Sequence, residues 1–214
     1  MEKNDIHYLV SAAHVLEPLQ EKVELSYYID NQQVVKLNDY TLKLNKVVDV
    51  GALKLSKENS PPYTKIEKYA LHYSSLPLNK FSGQDNVYSI NGFPNTYMQL
   101  SRNPKEIISK PFHYFSISAS QSRYKEMNVN PRDFTLIDFT KDRCLTSDNE
   151  AVVSPDLFGV SGGPVTLACE GEIYNEDKII VVGIAIEWDK RNKIIKVANI
   201  RHAIQIIDAL EAPT

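Results

Sequence analysis

The sequence is poor in cysteine and has no long apolar run. Its 214 residues include only two cysteines, Cys144 and Cys169, too few for a disulfide framework. No Cys/His spacing indicates zinc, so we expect two reduced, buried thiols and neither a metal nor a cofactor. The longest uninterrupted apolar run, Ile179–Ile186, has eight residues. About 20 are needed to cross a bilayer, so the sequence excludes a transmembrane helix.

Charge of neither sign dominates the chain. The 24 basic and 27 acidic residues give a net charge of −3, which favours binding neither to nucleic acid nor to a membrane. The one basic-looking cluster, Asp189–Asn192, is typical of a solvated hairpin tip. The apolar stretch Ile6–Leu16 lacks the basic flank of a signal peptide, and together with the few cysteines this predicts a cytoplasmic protein.

Short segments rich in Val, Leu and Tyr predict two sets of antiparallel strands. The first set is His7–Ala13, Val23–Ile29, Gln33–Leu37, Tyr40–Leu44 and Val50–Leu55. The second set is Asn86–Asn91, Phe112–Ser118, Phe134–Phe139, Val165–Cys169, Ile179–Ile186 and Ile194–Ala198. Asn199 can cap a C-terminal helix over residues 200–210, whose apolar face we expect to pack on the second set.

The fold class that these patterns predict is all-β. We expect two antiparallel β-barrels of the six-stranded type and one C-terminal α-helix. The N-terminal barrel lobe covers residues 1–80, and the C-terminal lobe, with the helix, covers residues 81–214.

Glycine is scarce, yet three of the eight glycines fall in the string Gly159-Val160-Ser161-Gly162-Gly163-Pro164. A G-x-S-G-G-P string arises by accident in such a chain with a probability on the order of 10⁻⁴. Clustered glycines indicate positive φ or a close approach to the backbone. A serine among them offers a nucleophile beside outward-facing amides, as acyl transfer requires. A tight turn before a strand is the alternative interpretation, and the glycine cluster favours the functional one.

A serine nucleophile needs a base and a carboxylate that orients the base. Of the five histidines, His14 follows small residues at the end of an apolar strand, where its imidazole can be presented. A histidine in this position alone is more often structural. Asp49 lies in an apolar run and is costly to bury without a hydrogen-bond partner. A turn or capping role for Asp49 is equally consistent with the sequence.

Together these motifs resemble those of the trypsin-like (chymotrypsin-fold) serine proteases. The string Tyr8–His14 resembles the family's strand-to-histidine motif, Asp49–Leu55 its D-[IV]-A-L-[LI]-x-[LV] segment, and Gly159–Pro164 its serine motif. The order His, Asp, Ser is also that of the family. The resemblance implies Ser161 as nucleophile, His14 as general acid/base and Asp49 as orienting carboxylate. It also implies an oxyanion hole from the backbone amides of Gly159 and Ser161.

The sequence departs from the family in several places. Few residues precede Tyr8, so the first barrel is expected to be incomplete or completed from elsewhere. Val15 replaces the cysteine that follows the histidine in secreted trypsins. Val160 replaces the aspartate of zymogen-type members, so activation by N-terminal cleavage is not expected. The long chain between Asp49 and Ser161 predicts loop insertions around residues 56–85 and 119–133.

Few residues in the sequence indicate the specificity of the substrate pocket. Pro155 lies where trypsins place the acid that selects basic side chains, but Asp156 is its neighbour. Ile186 and Glu187 lie on the strand expected to form the substrate-binding edge. These four residues are the candidate pocket, and the sequence does not decide whether that pocket is acidic.

The leading hypothesis is therefore an intracellular, bacterial-type serine endopeptidase without disulfides. Its partner is a polypeptide substrate, with a regulatory protein as a further candidate partner. A catalytically silent fold that serves as a binding or scaffold module is the main rival. A hydrolase of small esters with the same triad is the third hypothesis.

Overall fold

A computed structural model describes residues 1–21, 26–29, 33–36, 39–56, 71, 73, 76, 86–97, 99–100, 107–108, 112–140, 144–145, 151–168 and 180–212. Within these residues the protein is mostly β. The strands are β1 Glu2–Lys3, β2 Ile6–Ala12, β3 Ser26–Ile29, β4 Gln33–Lys36, β5 Tyr40–Asn45, β6 Val50–Leu55, β7 Val87–Gly92, β8 Gln99–Leu100, β9 Ile107–Ile108, β10 Phe112–Ile117, β11 Phe134–Asp138, β12 Cys144–Leu145, β13 Ala151–Val152, β14 Pro164–Ala168, β15 Ile180–Asp189 and β16 Ile194–Asn199.

The helices are α1 Ala13–Leu16, α2 Gln121–Glu126 and α3 Ile200–Glu211. Short 3₁₀ helices cover Glu17–Glu21 and Asn95–Tyr97. Helix α2 lies inside the insertion predicted at 119–133, and residues 57–70 of the other predicted insertion lie outside the described residues. Helix α3 starts directly after Asn199, as the sequence predicted.

The chain divides into two compact units. The first unit contains residues 1–76, 99–108 and 201–214, and the second contains residues 77–98 and 109–200. This division differs from the predicted one because residues 99–108 and 201–214 group with the first unit. The physical reason is a set of polar contacts to the first unit, among them the ion pairs Lys3–Asp208 and Lys54–Glu211.

The first unit contains an antiparallel sheet with the strand order β1-β2-β6-β5. Strand β6 lies between two neighbours and is buried at nearly every position, as its apolar sequence Val-Gly-Ala-Leu-Lys-Leu dictates. Leu53 and Leu55 of this strand form a buried cluster with Leu16 and Leu19. The described residues of this sheet supply four strands, fewer than a six-stranded barrel needs.

The second unit contains a six-stranded antiparallel sheet with the order β10-β7-β14-β15-β16-β11. The sheet curls, and an antiparallel bridge between Ser118 and Ile137 joins its two ends. At the same place, the Ala119 amide donates to the Leu136 carbonyl at 2.7 Å. The core inside this sheet is aliphatic and aromatic; it includes Tyr88, Ile90, Tyr114, Phe139, Val165 and Val197.

The strand predictions agree closely with these bounds. Strand β6 is confirmed residue for residue, and most other described strands end within two residues of the prediction. Strand β15 is the main exception, because it continues past Ile186 to Asp189. The predicted hairpin tip at Asp189–Asn192 is confirmed: both the backbone and the side-chain amide of Asn192 donate to the Asp189 carboxylate, at 2.8 and 2.7 Å. The predicted strand residues Val23–Glu24–Leu25, Cys169 and Ile179 lie outside the described residues.

Candidate active site

His14 and Asp49 come together within the first unit. Strand β2 ends at Ala12 and pairs there with Val50, the first residue of β6. His14 follows the end of one strand and Asp49 precedes the start of the other, so the antiparallel register brings them to one end of the sheet. The Ala13 amide donates to the Asp49 carbonyl at 3.0 Å, which fixes the two chain segments to each other.

The Asp49 carboxylate binds His14 through both of its oxygens. The His14 backbone amide donates to Oδ1 at 2.9 Å, and ring nitrogen Nδ1 lies 2.7 Å from Oδ2. Because a carboxylate accepts, this contact places the proton on Nδ1 and leaves Nε2 as the nitrogen able to take a proton. Asp49 itself has a left-handed φ of 54°, which aspartate tolerates better than most residues. The His14 side chain keeps 49% of its surface exposed, so a substrate can reach its ring.

Ser161 lies in a turn of the second unit, before strand β14. Gly159 and Gly162 adopt left-handed φ values of 94° and 91°, the conformations that the glycine cluster predicted. The side chain of Val160 is buried at 4% exposure and anchors the turn, whereas Ser161 is partly exposed. The Ser161 hydroxyl donates to the Ile186 carbonyl on β15 across a long 3.4 Å.

Some amides of this turn are bonded within the protein and others are not. Val160 donates to the Leu157 carbonyl at 3.0 Å, Gly162 to that of Ala185 at 2.8 Å, and Gly163 to that of Val160 at 3.0 Å. Within the described part of the chain, the amides of Gly159 and Ser161 donate to no protein acceptor. Both amides that the resemblance implies as an oxyanion hole thus lack a protein acceptor.

At two positions of the turn only glycine fits, because a side chain would clash with neighbouring atoms. A Cβ on Gly159 would lie 2.3 Å from Asn95 Oδ1 and 2.9 Å from the Phe93 carbonyl oxygen. A Cβ on Gly163 would lie 2.0 Å from the Asn91 carbonyl oxygen. The serine turn is therefore packed directly on the chain that follows strand β7, and the Asn95 amide adds a 2.7 Å hydrogen bond to the Phe158 carbonyl.

A small cavity adjoins Ser161 in the second unit. Its volume is about 10 Å³, room for one water molecule. Most of its lining is apolar, from Leu157, Val160, Ala185, Trp188 and Ile195, and Ser161 and Glu187 supply the polar atoms. Of the four pocket residues inferred from the sequence, Glu187 is on this lining. Pro155, Asp156 and Ile186 are not, although the Ile186 carbonyl accepts from Ser161.

The acidic candidates of the pocket both carry a basic partner. Lys190 donates to Asp156 at 2.7 Å, and its ammonium also lies 4.6 Å from the Trp188 ring centre and 4.8 Å from that of Phe158. Lys196 lies 3.8 Å from the Glu187 carboxylate. The role of Lys190 was missed in the sequence, because nothing in the string Asp189–Asn192 indicates which side chain its ammonium meets.

A second oriented histidine was also missed. His113 on β10 faces Asn91 on β7, and its Nδ1 lies 2.6 Å from Asn91 Oδ1. The Asn91 amide group in turn donates to the Pro164 carbonyl at 3.4 Å, close to the serine turn. The signal that could have found this pair is the register of β7 and β10, which single-strand patterns do not specify.

The described residues contain no group of three or more His, Cys, Asp or Glu side chains able to hold a metal ion. In the same part of the chain, no helix has both the length and the apolar character needed to span a membrane. Compared with protein-family models and with curated proteins, the sequence gives no match. The resemblance to trypsin-like proteases therefore depends on the motifs and on the site geometry.

Proposed function

We propose that the protein is a serine endopeptidase of the trypsin-like type, with Ser161, His14 and Asp49 as its catalytic triad. The observation that carries this proposal is the serine turn, in which, among the described residues, the amides of Gly159 and Ser161 donate to no acceptor. Unbonded amides beside a partly exposed hydroxyl are what an oxyanion hole requires. The His14–Asp49 pair supports the proposal independently, because its Nδ1 contact is the one that a general base requires.

The proposal includes the two-barrel architecture that the sequence predicted. The Ser118–Ile137 bridge between the ends of the six-stranded sheet supports a closed barrel in the second unit. The proposed mechanism requires that His14 Nε2 reach the Ser161 hydroxyl.

In the first chemical step, Ser161 Oγ bonds to the peptide carbonyl carbon while its proton passes to His14 Nε2. The carbonyl oxygen becomes an oxyanion that accepts from the Gly159 and Ser161 amides. Asp49 stays ionised and stabilises the imidazolium through Nδ1. The C–N bond then breaks, and the His14 proton goes to the leaving amine.

In the second step, water hydrolyses the acyl-enzyme. Water gives a proton to His14 Nε2, and its oxygen bonds to the acyl carbon. Collapse of the second oxyanion breaks the bond to Ser161 Oγ, which takes its proton back from His14 and releases the carboxylic acid. No metal or cofactor takes part in either step.

Fluorophosphonate labelling, followed by intact mass, tests the activated serine. We expect one label on the wild-type protein, at Ser161, and none on Ser161→Ala. His14→Ala and Asp49→Ala should slow labelling by about 100-fold or more, because they remove the base or its orientation. His113→Ala is the matched control, since it removes the other oriented histidine and should leave labelling unchanged.

The labelling pattern also separates the rival hypotheses. Loss of labelling in His113→Ala but not in His14→Ala would reassign the base and reject the triad. A labelled protein that hydrolyses nitrophenyl esters and no peptide in a library would be an esterase. A folded wild-type protein that takes no label would be a binding or scaffold module.

A further inference from the structure

The cavity beside Ser161 bears on which substrates fit the proposed protease. We infer that it holds the substrate side chain on the acyl side of the cleaved bond and selects a small, uncharged one, with alanine as the best fit. This inference rests on the proposed function, because it needs Ser161 as the nucleophile. Ser161 is itself on the cavity lining, so a side chain that enters the cavity is held next to the hydroxyl.

The size of the cavity limits the side chain. A volume of about 10 Å³ admits one group of the size of water, which corresponds to a methyl. The walls are packed: Leu157 and Val160 are each 4% exposed, and Ala185 is 2% exposed. A phenylalanine or lysine side chain needs several heavy atoms more than this space allows, and close-packed walls do not move apart without cost.

Trp188 forms the wall that decides the size. Its ring makes an edge contact with Phe139, with ring centres 5.7 Å apart. On its other side the Lys190 ammonium lies 4.6 Å from the ring centre. These two contacts hold the indole against the cavity, so Trp188 acts as the size limit.

The charges around the cavity cancel in pairs. Asp156 binds Lys190, and Glu187 lies near Lys196, so both carboxylates of the candidate pocket have a basic neighbour. A basic substrate side chain therefore gains no net attraction, and it would enter an apolar lining without a counter-charge. An acidic side chain is disfavoured for the same reason. Lys190 and Lys196 thus offset the charges of the two carboxylates that could have made the pocket acidic.

The experiment uses fluorogenic peptides that differ only in the residue on the acyl side of the cleaved bond: Ala, Phe, Lys or Glu. For the full-length wild-type protein we expect kcat/KM for the Ala peptide to exceed that for each of the others by about 10-fold or more. Trp188→Ala should raise the Phe-to-Ala ratio of kcat/KM by about 10-fold. Leu157→Ala opens the opposite wall and provides a second test if Trp188→Ala does not fold by circular dichroism.

A charge variant tests the neutralisation. Lys190→Met removes the ammonium that binds Asp156 and should raise the Lys-to-Ala ratio by about fivefold, the scale of a partly exposed ion pair. Arg191→Met is the matched control: it removes the same charge from the same exposed turn and should leave the ratio unchanged.

Each outcome bears on a different statement. Preference of the wild-type protein for Phe, Lys or Glu overturns the inference and leaves the peptidase proposal standing. An unchanged Phe-to-Ala ratio in both wall variants also overturns it. Labelling of Ser161 without hydrolysis of any of the peptides rejects the cavity as a peptide site. Absence of both hydrolysis and labelling overturns the inference together with the proposed function.

Discussion

At the scale of single residues, the candidate site depends on backbone conformations that few residue types adopt. Asp49 has a φ of 54° and Gly159 a φ of 94°, both in the left-handed region. For Asp49 this conformation directs the carboxylate to the amide and the ring of His14 at once. For Gly159 it belongs to the turn in which the Gly159 and Ser161 amides have no acceptor among the described residues. The chemistry at the site is therefore tied to the local backbone.

Substitution of Gly159 by alanine should impair the site. The new Cβ would lie 2.3 Å from Asn95 Oδ1, and the φ of 94° is strained for any L side chain. We expect fluorophosphonate labelling at Ser161 to slow by about 10-fold or more and the free energy of unfolding to fall by about 1–3 kcal/mol. Labelling rates and urea unfolding measure the two effects.

A double variant identifies the cause of the Gly159 effect. Asn95→Ala removes the nearest atom, so Gly159→Ala with Asn95→Ala should recover part of the loss, the backbone strain remaining. Gly163→Ala is the contrasting case, because its Cβ would meet the Asn91 backbone oxygen at 2.0 Å and no side-chain removal relieves that contact. Wild-type labelling by Gly159→Ala alone would contradict the close packing of this turn.

At the scale of secondary-structure elements, strand ends position His14 and Asp49, and ion pairs and hydrogen bonds hold helix α3 in place. The register that pairs Ala12 with Val50 sets the His14–Asp49 contact. Helix α3 binds the first unit through Glu211, which accepts from Tyr8 and Lys54, and through Asp208, which accepts from Lys3 and Tyr73. A hydrogen bond from Lys54 lowers the pKa of Glu211, and one from Lys3 lowers the pKa of Asp208.

These lowered pKa values predict an acid-sensitive helix. The folded state favours the ionised carboxylates, so their contribution to stability is present above the ordinary values of 4.5 for Glu and 3.8 for Asp. It is lost as the pH falls below those values. Because both side chains are partly exposed, solvent screening limits the contribution to about 1 kcal/mol in total.

Urea unfolding at about pH 6 and about pH 3 measures this effect. The wild-type free energy of unfolding should fall more between the two pH values than that of Glu211→Gln with Asp208→Asn. Glu21→Gln, at an exposed position of the same unit, is the control and should behave as the wild type. An equal fall in the helix variant and the wild type would show that the helix contacts do not contribute.

At the scale of the whole molecule, the candidate triad is divided between two compact units. His14 and Asp49 belong to the first unit, and Ser161 with its free amides belongs to the second. Each half of the candidate triad is formed within one unit. The carboxylate-bound histidine lies in the first unit and the glycine turn in the second. The proposed mechanism requires the His14–Asp49 pair and Ser161 to act on the same peptide bond.

This division predicts that activity is lost before the fold. In increasing urea, labelling of Ser161 should fall at a lower concentration than the far-UV circular dichroism signal. The reason is that local unfolding of either unit removes one half of the proposed triad while the other core stays packed. Coincident midpoints for the two signals would contradict it and show that the site and both cores are lost together.

The sequence by itself determined the described strands of four or more residues and the catalytic candidates, because both depend on local order. Strand β6 follows from an uninterrupted apolar string, and the serine turn from three glycines around one serine. The tertiary structure alone decided the contacts between distant segments. Neither the packing of helix α3, nor the capture of Asp156 by Lys190, nor the His113–Asn91 pair can be read from spacing, since each depends on strand register and chain topology. Local patterns thus specify which residue can react, and the fold specifies its partners.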